Sequence, residues 1–244
     1  METIWKINLK ITLTLLFLIV SISIAFAAAP VLNSVVGGGK EPEPLDSSLV
    51  GYWDMDDWVD GNTINDRTLN NNDGTIVGAN RSYGKLGWGM EFDGVNDYVD
   101  VPHKSDWNFG ADDFTIEAWI RSKDPTSALK IISHTIDSNN RGWLLYQGNG
   151  GMIWLASTSG TAWDINSGVL GTITQDAWTH LTVTRAGSIF TYYVDGTVVG
   201  SDTNSDTLNS ETVTLKIGID EGVVYFNGSI DEVKIWNRAL RPEE

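Results

Sequence analysis

Asp231 is an acidic residue in a segment that otherwise suits a protein core. Its neighbours Ile230 and Val233 are apolar and favour burial. A charge among such residues is costly unless it is paired or bound to a cation. Hard cations such as Ca²⁺ prefer carboxylate oxygens as ligands. The sequence therefore predicts either a calcium ligand or a paired charge at this position.

Asp93 and Asp97 form a second group of carboxylates, one on each side of the turn Gly94-Val95-Asn96. One interpretation is that the turn brings the two side chains together around an ion. The other is ordinary turn chemistry, in which aspartate side chains accept hydrogen bonds from nearby backbone N–H groups. The sequence leaves both interpretations open.

Aromatic residues cluster between positions 143 and 163 of a chain that has 11 tryptophans. In the segment 152–156, alternation assigns Ile153 and Leu155 to the core and leaves Trp154 on the opposite face. Exposed aromatic rings are natural platforms for sugars, whose C–H faces are apolar. The predicted platform comprises Trp143, Tyr146, Trp154 and Trp163. The alternative is that loops cover these rings on the second face of a sandwich.

The elements that position these residues are predicted to be strands. The clearest pair lies within residues 177–201, where Leu181 and Val183 alternate with threonines. Turns around Gly187 and at Asp195-Gly196 let the chain reverse. A hairpin of this length is not stable alone, so it must belong to a larger sheet.

Similar strand-like segments recur from Leu49 to Trp236, and no helical period persists for three turns. The pattern predicts an all-β protein of about a dozen antiparallel strands in two stacked sheets. Alternation also predicts four further tryptophans in the core, namely Trp53, Trp119, Trp178 and Trp236.

Composition excludes several classes of site and partner. The chain has no cysteine, which excludes disulfides and thiolate metal sites. Its 32 acidic and 16 basic residues give a net charge of −16. This excess argues against nucleic acid and anionic membrane surfaces as partners. It is compatible with Ca²⁺, and also with a solvated acidic surface that keeps the protein soluble.

The N-terminus has the features of an export segment. Residues 1–27 combine lysines, a long apolar run and the small residues Ala25 and Ala27. They are predicted to be a signal peptide, or alternatively an uncleaved membrane anchor. Residues 28–47, which contain three consecutive glycines and three prolines, are predicted to be a flexible linker. Residues 48–244 then form the domain.

Four segments resemble one known family in sequence and in order. They are the hairpin with Trp178-x-His180 and Tyr193-Val-Asp-Gly196, and the segments 89–102 (GMEFDGVNDYVDVP), 114–120 (FTIEAWI) and 228–240 (GSIDEVKIWNRAL). The chain resembles laminin-G-like domains of the concanavalin A-like lectin/glucanase superfamily. The resemblance implies an antiparallel two-sheet jelly-roll sandwich. It does not fix a function, since such folds host many activities.

The resemblance also implies a possible structural calcium ion. Related domains often hold one Ca²⁺ with one or two aspartates and backbone carbonyls. The matching positions in this chain are Asp66 and Asp231.

Glycoside hydrolases share this fold, but their usual strand motif is not found. The catalytic carboxylates in such enzymes typically come from Glu-x-Asp-x-Glu, whose side chains share one face. Here Glu117 stands alone in its strand, and the adjacent Asp231 and Glu232 are expected on opposite faces. The sequence therefore predicts a protein that is not an enzyme.

The sequence predicts an exported binding or adhesion module, secreted or at the cell surface, that recognises a carbohydrate or a surface protein. The competing prediction is a structural or interaction protein of a cell envelope without a sugar site. A membrane is expected as a partner only if the N-terminal segment is retained as an anchor. Calcium is the only cofactor predicted.

Overall fold

Alternating apolar and polar residues fold the chain into two large β-sheets. The structure is a computed structural model and describes residues 46–56, 58–59, 61–220 and 224–244. The predicted signal peptide or anchor at 1–27, and all but the last two residues of the predicted linker, lie outside the described residues. No helix among the residues described is both long and apolar enough to cross a membrane.

Sheet I contains the two ends of the described chain. Its strands are β1 (Leu49–Trp53), β5 (Asn80–Tyr83), β6 (Trp88–Asp93), β8 (Phe114–Ser122), β13 (Trp178–Ala186), β14 (Ile189–Val194), β15 (Thr197–Thr203) and β19 (Asn227–Trp236). Their spatial order is β15, β14, β13, β8, β19, β6 and β5, and β1 also pairs with β19.

Sheet II is built mainly from the middle of the chain. Its strands are β2 (Trp58–Val59), β3 (Thr63–Ile64), β4 (Gly74–Val77), β7 (Tyr98–Val101), β9 (Leu129–Thr135), β10 (Arg141–Gly148), β11 (Gly151–Ala156), β12 (Ile165–Asn166) and β16 (Leu215–Ile217). Their order is β12, β11, β10, β9, β16, β7, β4, β3 and β2. A small hairpin joins β17 (Ile219–Asp220) to β18 (Val224–Tyr225), and a 3₁₀ turn spans Ser105–Trp107. The predicted all-β, antiparallel two-sheet fold is confirmed.

The hairpin predicted within residues 177–201 forms strands β13, β14 and the start of β15. Leu181 pairs with Val194 and Val183 pairs with Tyr192, so alternate side chains share a face. Gly187 has a φ of 59°, and Asp195-Gly196 turns the chain with positive φ at both residues. The predicted turns are therefore confirmed.

Aromatic rings from both sheets meet in the apolar core. Phe114 of sheet I lies with its ring centroid 5.8 Å from that of Trp154 in sheet II. Phe109 stacks on Phe114 at 4.0 Å, and Phe190 contacts it edge-on at 6.1 Å. These contacts, and the apolar area that they remove from water, join the two sheets.

The predicted orientation of β11 is wrong. Trp154 is fully buried in the core between the sheets, whereas Ile153 and Leu155 lie on the other face of sheet II with Leu144. The residues of β11 are apolar at nearly every position, so alternation does not identify the inner face. Core packing selects the larger ring for the interior.

A β-bulge in β19 changes which side chains face outward. Asp231 pairs with Trp119 and Lys234 pairs with Glu117, so three steps along β19 match two along β8. Glu232 absorbs the extra residue with a φ of 52°. Its carboxylate consequently reaches the outer face of sheet I, so the prediction that Asp231 and Glu232 lie on opposite faces is wrong.

The buried side chain of Arg185, near the end of β13, holds three loop segments together. Its guanidinium donates to the carbonyl oxygens of Gly187, Gly110 and Asp206 at 2.9, 2.7 and 2.9 Å. It also lies 5.1 Å from the centroid of the Phe190 ring. A buried cation is tolerated because its donors are satisfied in this way.

We expect Arg185→Leu to lower the free energy of unfolding by about 3 kcal/mol, because three backbone carbonyl groups lose the buried guanidinium that donates to them. Urea denaturation measures this change. Arg241→Leu is the matched control, since the Arg241 side chain is 71% exposed and should contribute less than about 1 kcal/mol. Equal effects of the two substitutions would contradict the prediction.

Candidate functional site

The outer face of sheet I carries a row of polar and aromatic side chains that crosses five strands. Register places Tyr193 beside Thr182, and Thr182 beside Glu117. Glu117 pairs in turn with Lys234, and Lys234 with Tyr52. Because these residues alternate with core residues along each strand, the row faces away from sheet II.

Charged groups in this row form a continuous network. Lys234 Nζ lies 3.6 Å from Glu117 Oε1 and 2.9 Å from Glu232 Oε2. His180 Nε2 lies 3.6 Å from Glu117 Oε2. The Tyr52 hydroxyl donates to Glu232 Oε2 at 2.9 Å. Glu117 thus lies between an ammonium group and an imidazole ring at the centre of the sheet.

Burial shifts the pKa of two groups in the network, His180 and Tyr52. It lowers the pKa of His180, although the Glu117 carboxylate opposes part of this shift. The imidazole is therefore neutral at neutral pH and offers one donor and one acceptor. Burial and the neighbouring Glu232 carboxylate raise the pKa of Tyr52, so its hydroxyl stays protonated and can donate.

A pocket of about 250 Å³ opens on this face next to the network. One wall consists of side chains from β8, β13 and β14, and the other of the segment 240–244. The strand residues that line it are Glu117, His180, Thr182, Thr184 and Tyr193. The pocket therefore combines a tyrosine ring, an imidazole, hydroxyl groups and a carboxylate.

Three of the tryptophans predicted in the core lie half-buried on this outer face instead. Trp119 pairs with His180, and the two ring centroids are 4.9 Å apart. Trp178 lies beneath the guanidinium of Arg121, 5.4 Å from it, and Trp236 lies 5.3 Å from that of Arg238. Trp53 is buried as predicted. Both faces of sheet I carry aromatic residues, so alternation alone does not separate inside from outside.

The aromatic cluster predicted as a sugar platform is divided between two surfaces. Trp143 and Trp154 are buried in the core and stack on each other at 5.7 Å, so neither can contact a ligand at the surface. Tyr146 and Trp163 lie partly buried on the outer face of sheet II, against Leu144 and its neighbours. Lys130 Nζ lies 4.2 Å from the Tyr146 ring centroid. The structure does not assemble the predicted platform.

Asp66 organises the loop between β3 and β4. Its Oδ1 accepts hydrogen bonds from the N–H groups of Tyr52 and Thr68, at 3.0 and 2.9 Å. Its Oδ2 accepts from the Thr68 hydroxyl at 2.7 Å and from the Asn72 N–H at 2.9 Å. Four donors therefore occupy this carboxylate.

Asp93 and Asp97 accept hydrogen bonds from the backbone of their own turn. Asp93 Oδ1 accepts from the N–H groups of Val95 and Asn96, at 2.8 and 3.2 Å. Asp97 Oδ2 accepts from the Asp93 N–H at 2.9 Å. These contacts are the turn chemistry that the sequence offered as the second interpretation.

Asp231 is fully buried and also accepts backbone hydrogen bonds. Its Oδ2 accepts from the N–H groups of Lys85 and Leu86 at 2.7 and 3.0 Å, and its Oδ1 accepts from the Glu232 N–H at 2.8 Å. Burial raises the pKa of its carboxyl to about 6, and the Lys85 and Leu86 N–H groups oppose this shift.

These four aspartates do not form the donor set of a calcium ion. A bound Ca²⁺ needs six to eight oxygen ligands that point at one centre. Each of the four carboxylates instead accepts from N–H or O–H donors. Within the described part of the chain, no three His, Cys, Asp or Glu side chains are placed to hold a metal. The calcium ion stays a prediction, and the residues present do not fit it.

Sequence comparison identifies the family. A laminin-G-type family model, described as concanavalin A-like lectin/glucanases superfamily, matches residues 93–244. The chain belongs to this family. The match includes Glu117, His180 and Tyr193, which line the pocket, and it confirms the resemblance seen in the sequence. A search of curated proteins finds no match.

Solved structures share the fold at low sequence identity. The binding domain of paraclostridial mosquitocidal protein 1 aligns with a TM-score of 0.64 and 20% identity over 80% of this chain and 50% of that one. Domain 4 of AbnA, an extracellular arabinanase of Geobacillus stearothermophilus in complex with arabinotriose, gives 0.64 and 18% over 80% and 95%. The ligand-binding domain of botulinum neurotoxin serotype D, in complex with N-acetylneuraminic acid, gives 0.62 and 19% over 80% and 49%. The chain thus spans about half the length of the two toxin domains.

Sequence reasoning missed Glu117, His180 and Tyr193 as a group. A partial signal was present, because Glu117 and Trp119 in β8, and His180 and Thr182 in β13, occupy the polar positions of alternating strands. Their proximity depends on pairing between strands that lie about sixty residues apart. No local pattern reports that pairing.

We expect the contribution of Asp231 to stability to fall as pH rises from about 4 to about 6. The carboxyl is protonated in the folded state but ionised in the unfolded state between its ordinary pKa of 3.8 and its raised value of about 6. The difference in unfolding free energy between the native protein and Asp231→Asn should therefore decrease by roughly 3 kcal/mol across this window. Urea denaturation on both sides of the window measures it.

Asp93→Asn is the control for this pH series. Backbone N–H donors, first that of Val95, lower the pKa of Asp93. Its contribution to stability is thus present above its ordinary pKa and lost as pH falls. Between pH 4 and pH 6 the difference curve for Asp93→Asn should therefore stay nearly level while that for Asp231→Asn falls, and parallel curves would refute the assignment for Asp231.

Proposed function

We propose that the protein is a carbohydrate-binding module and that its sugar site is the pocket on the outer face of sheet I. The observation that carries this proposal is the placement of Tyr193 and His180 in one pocket with the carboxylate of Glu117. Sugar sites combine an aromatic surface for the C–H face of the ring with a few convergent polar groups for its hydroxyls.

Each group in the pocket has a defined role in this proposal. The Tyr193 ring packs against the apolar face of a sugar. Glu117 accepts hydrogen bonds from hydroxyl groups, and the neutral His180 donates or accepts one. Lys234 and His180 hold the Glu117 carboxylate in place, so its orientation is set before the ligand arrives.

The charge of the pocket favours neutral sugars over anionic ones. Glu117, Glu243 and Glu244 line it, against the guanidinium of Arg241. Carboxylates accept hydrogen bonds from hydroxyl groups but repel the carboxylate of an acidic sugar. We therefore infer a ligand rich in uncharged hydroxyl groups.

The structural relatives support a binding role to different degrees. Domain 4 of AbnA, in complex with arabinotriose, is covered over 95% of its length, so nearly the whole of that domain corresponds to this chain. The serotype D neurotoxin domain is covered over 49%, so its sugar ligand need not lie in the part that corresponds. Arabinotriose is accordingly the first oligosaccharide to test.

We propose binding rather than hydrolysis. A retaining glycosidase needs one carboxyl group as proton donor and a second as nucleophile. Glu117 and Glu232 are both engaged by the ammonium group of Lys234. Because this ion pairing favours the ionised carboxylate, neither residue is placed to act as the proton donor, and both are held as hydrogen-bond acceptors.

The setting that we propose is outside the cell, secreted or at the cell surface, because residues 1–27 have the features of an export segment.

The competing proposal is a cell-envelope interaction protein that binds a surface protein and no sugar. One solved relative, the binding domain of botulinum neurotoxin DC, is in complex with rat synaptotagmin II.

The first experiment is a glycan array together with arabinotriose binding by calorimetry, with and without a chelator. Loss of binding in the chelator would support the calcium prediction.

We expect Glu117→Gln to weaken binding of the recognised glycan roughly ten- to a hundredfold, because a hydrogen bond to a charged acceptor becomes a neutral one. Calorimetric titration measures the change in dissociation constant. Glu91→Gln is the matched control, since Glu91 lies on β6, outside the pocket, and pairs with Lys123. An unchanged affinity in Glu117→Gln would place the sugar elsewhere, and no glycan binding by the native protein would favour the competing proposal.

A further inference from the structure

The β5–β6 hairpin ends in exposed apolar side chains. Tyr83 is 77% exposed, Leu86 57% and Trp88 39%. The rings of Tyr83 and Trp88 stack, with centroids 5.1 Å apart and an interplanar angle of 13°. We refer to residues 83–88 as the hairpin tip. Large apolar groups exposed together mark a contact surface more often than single ones do.

The conformation of the hairpin tip is fixed by carboxylates from two other segments. Asp231 in β19 accepts from the N–H groups of Lys85 and Leu86. Asp56, which follows β1, accepts from the Trp88 N–H at 2.6 Å. The buried Asp231 carboxylate thus fixes the backbone of a segment whose apolar side chains are exposed to solvent. A contact surface that is rigid before binding loses less entropy when it binds.

The chemistry of the hairpin tip favours a lipid surface over a sugar. Residues 80–89 include Arg81 and Lys85 and no acidic residue, in a chain with a net charge of −16. Tryptophan and tyrosine beside an exposed leucine and basic residues are typical of groups at the membrane–water interface. Sugar hydroxyls also need acceptors, and the carboxylates that border the tip, Asp231 and Asp56, already accept backbone hydrogen bonds.

We propose that the hairpin tip binds the surface of a phospholipid bilayer with zwitterionic headgroups. Leu86 and the rings of Tyr83 and Trp88 enter the headgroup region and the upper acyl chains. The negative charge of the whole protein opposes binding to anionic lipid, so phosphatidylcholine is the lipid of choice.

The tip borders the proposed sugar face, because Lys85 Nζ lies 4.1 Å from the Trp119 ring centroid. The lipid contact and the sugar pocket are nevertheless separate surfaces. Vesicles of pure phosphatidylcholine contain no carbohydrate, so the result of a vesicle experiment does not depend on whether the protein binds a glycan.

The test is co-sedimentation of the full chain with phosphatidylcholine vesicles. We expect the native protein to bind and Leu86→Ser to weaken its partitioning about tenfold, because an apolar side chain that enters the bilayer is lost. Leu69→Ser is the matched control. Leu69 is 96% exposed and lies in the loop before β4, outside residues 83–88, so this variant should bind as the native protein does. Tyr83→Ser should weaken binding in the same direction as Leu86→Ser.

Several results would overturn the proposal. One is failure of the native protein to sediment with vesicles. Another is binding that Leu86→Ser leaves unchanged, which would assign the lipid contact to another segment, including the apolar residues 11–29 that all variants share. If Leu86→Ser instead abolishes self-association in sedimentation velocity without altering vesicle binding, the tip is a contact between copies of the chain.

Discussion

The buried carboxylate of Asp231 joins β19 to the β5–β6 hairpin, and much of sheet I depends on this contact. It accepts three backbone N–H groups, which offset the cost of removing a charge from water. A Cβ atom at Gly84 would lie 2.5 Å from Asp231 Oδ2, so glycine is needed for the hairpin to approach this closely. Asp231 also lies at the start of the β-bulge, where β19 changes its pairing partner from β6 to β1.

The bulge also determines the chemistry of the outer face. In a regular strand, Glu232 would point into the core, where an unpaired carboxylate is strongly unfavourable. The left-handed conformation of Glu232 turns its carboxylate outward, to the Tyr52 hydroxyl and the Lys234 ammonium. Lys234 then reaches Glu117 in the centre of the sheet. A local irregularity of the backbone thus assembles a network across four strands.

The two proposed surfaces differ in the groups that pair with their carboxylates. On the outer face of sheet I, charged side chains compensate one another and keep acceptors available to a ligand. At the hairpin tip, the carboxylates of Asp231 and Asp56 accept hydrogen bonds from backbone N–H groups, and apolar side chains remain exposed. The first arrangement suits hydroxyl groups, and the second suits an apolar partner.

The sequence by itself determined the class of fold, because strand alternation and turn residues are local properties. The hairpin of β13 and β14, with turns at Gly187 and Asp195-Gly196, follows from them directly. The tertiary structure decided which face of each strand is buried. Trp154 and Trp119 are both strand tryptophans with apolar residues on either side, yet one is in the core and the other lies on the outer face. Which face is inside depends on the sheet that packs opposite, and the meeting of Glu117 with His180 depends on pairing of distant strands. Neither is encoded within a window of a few residues.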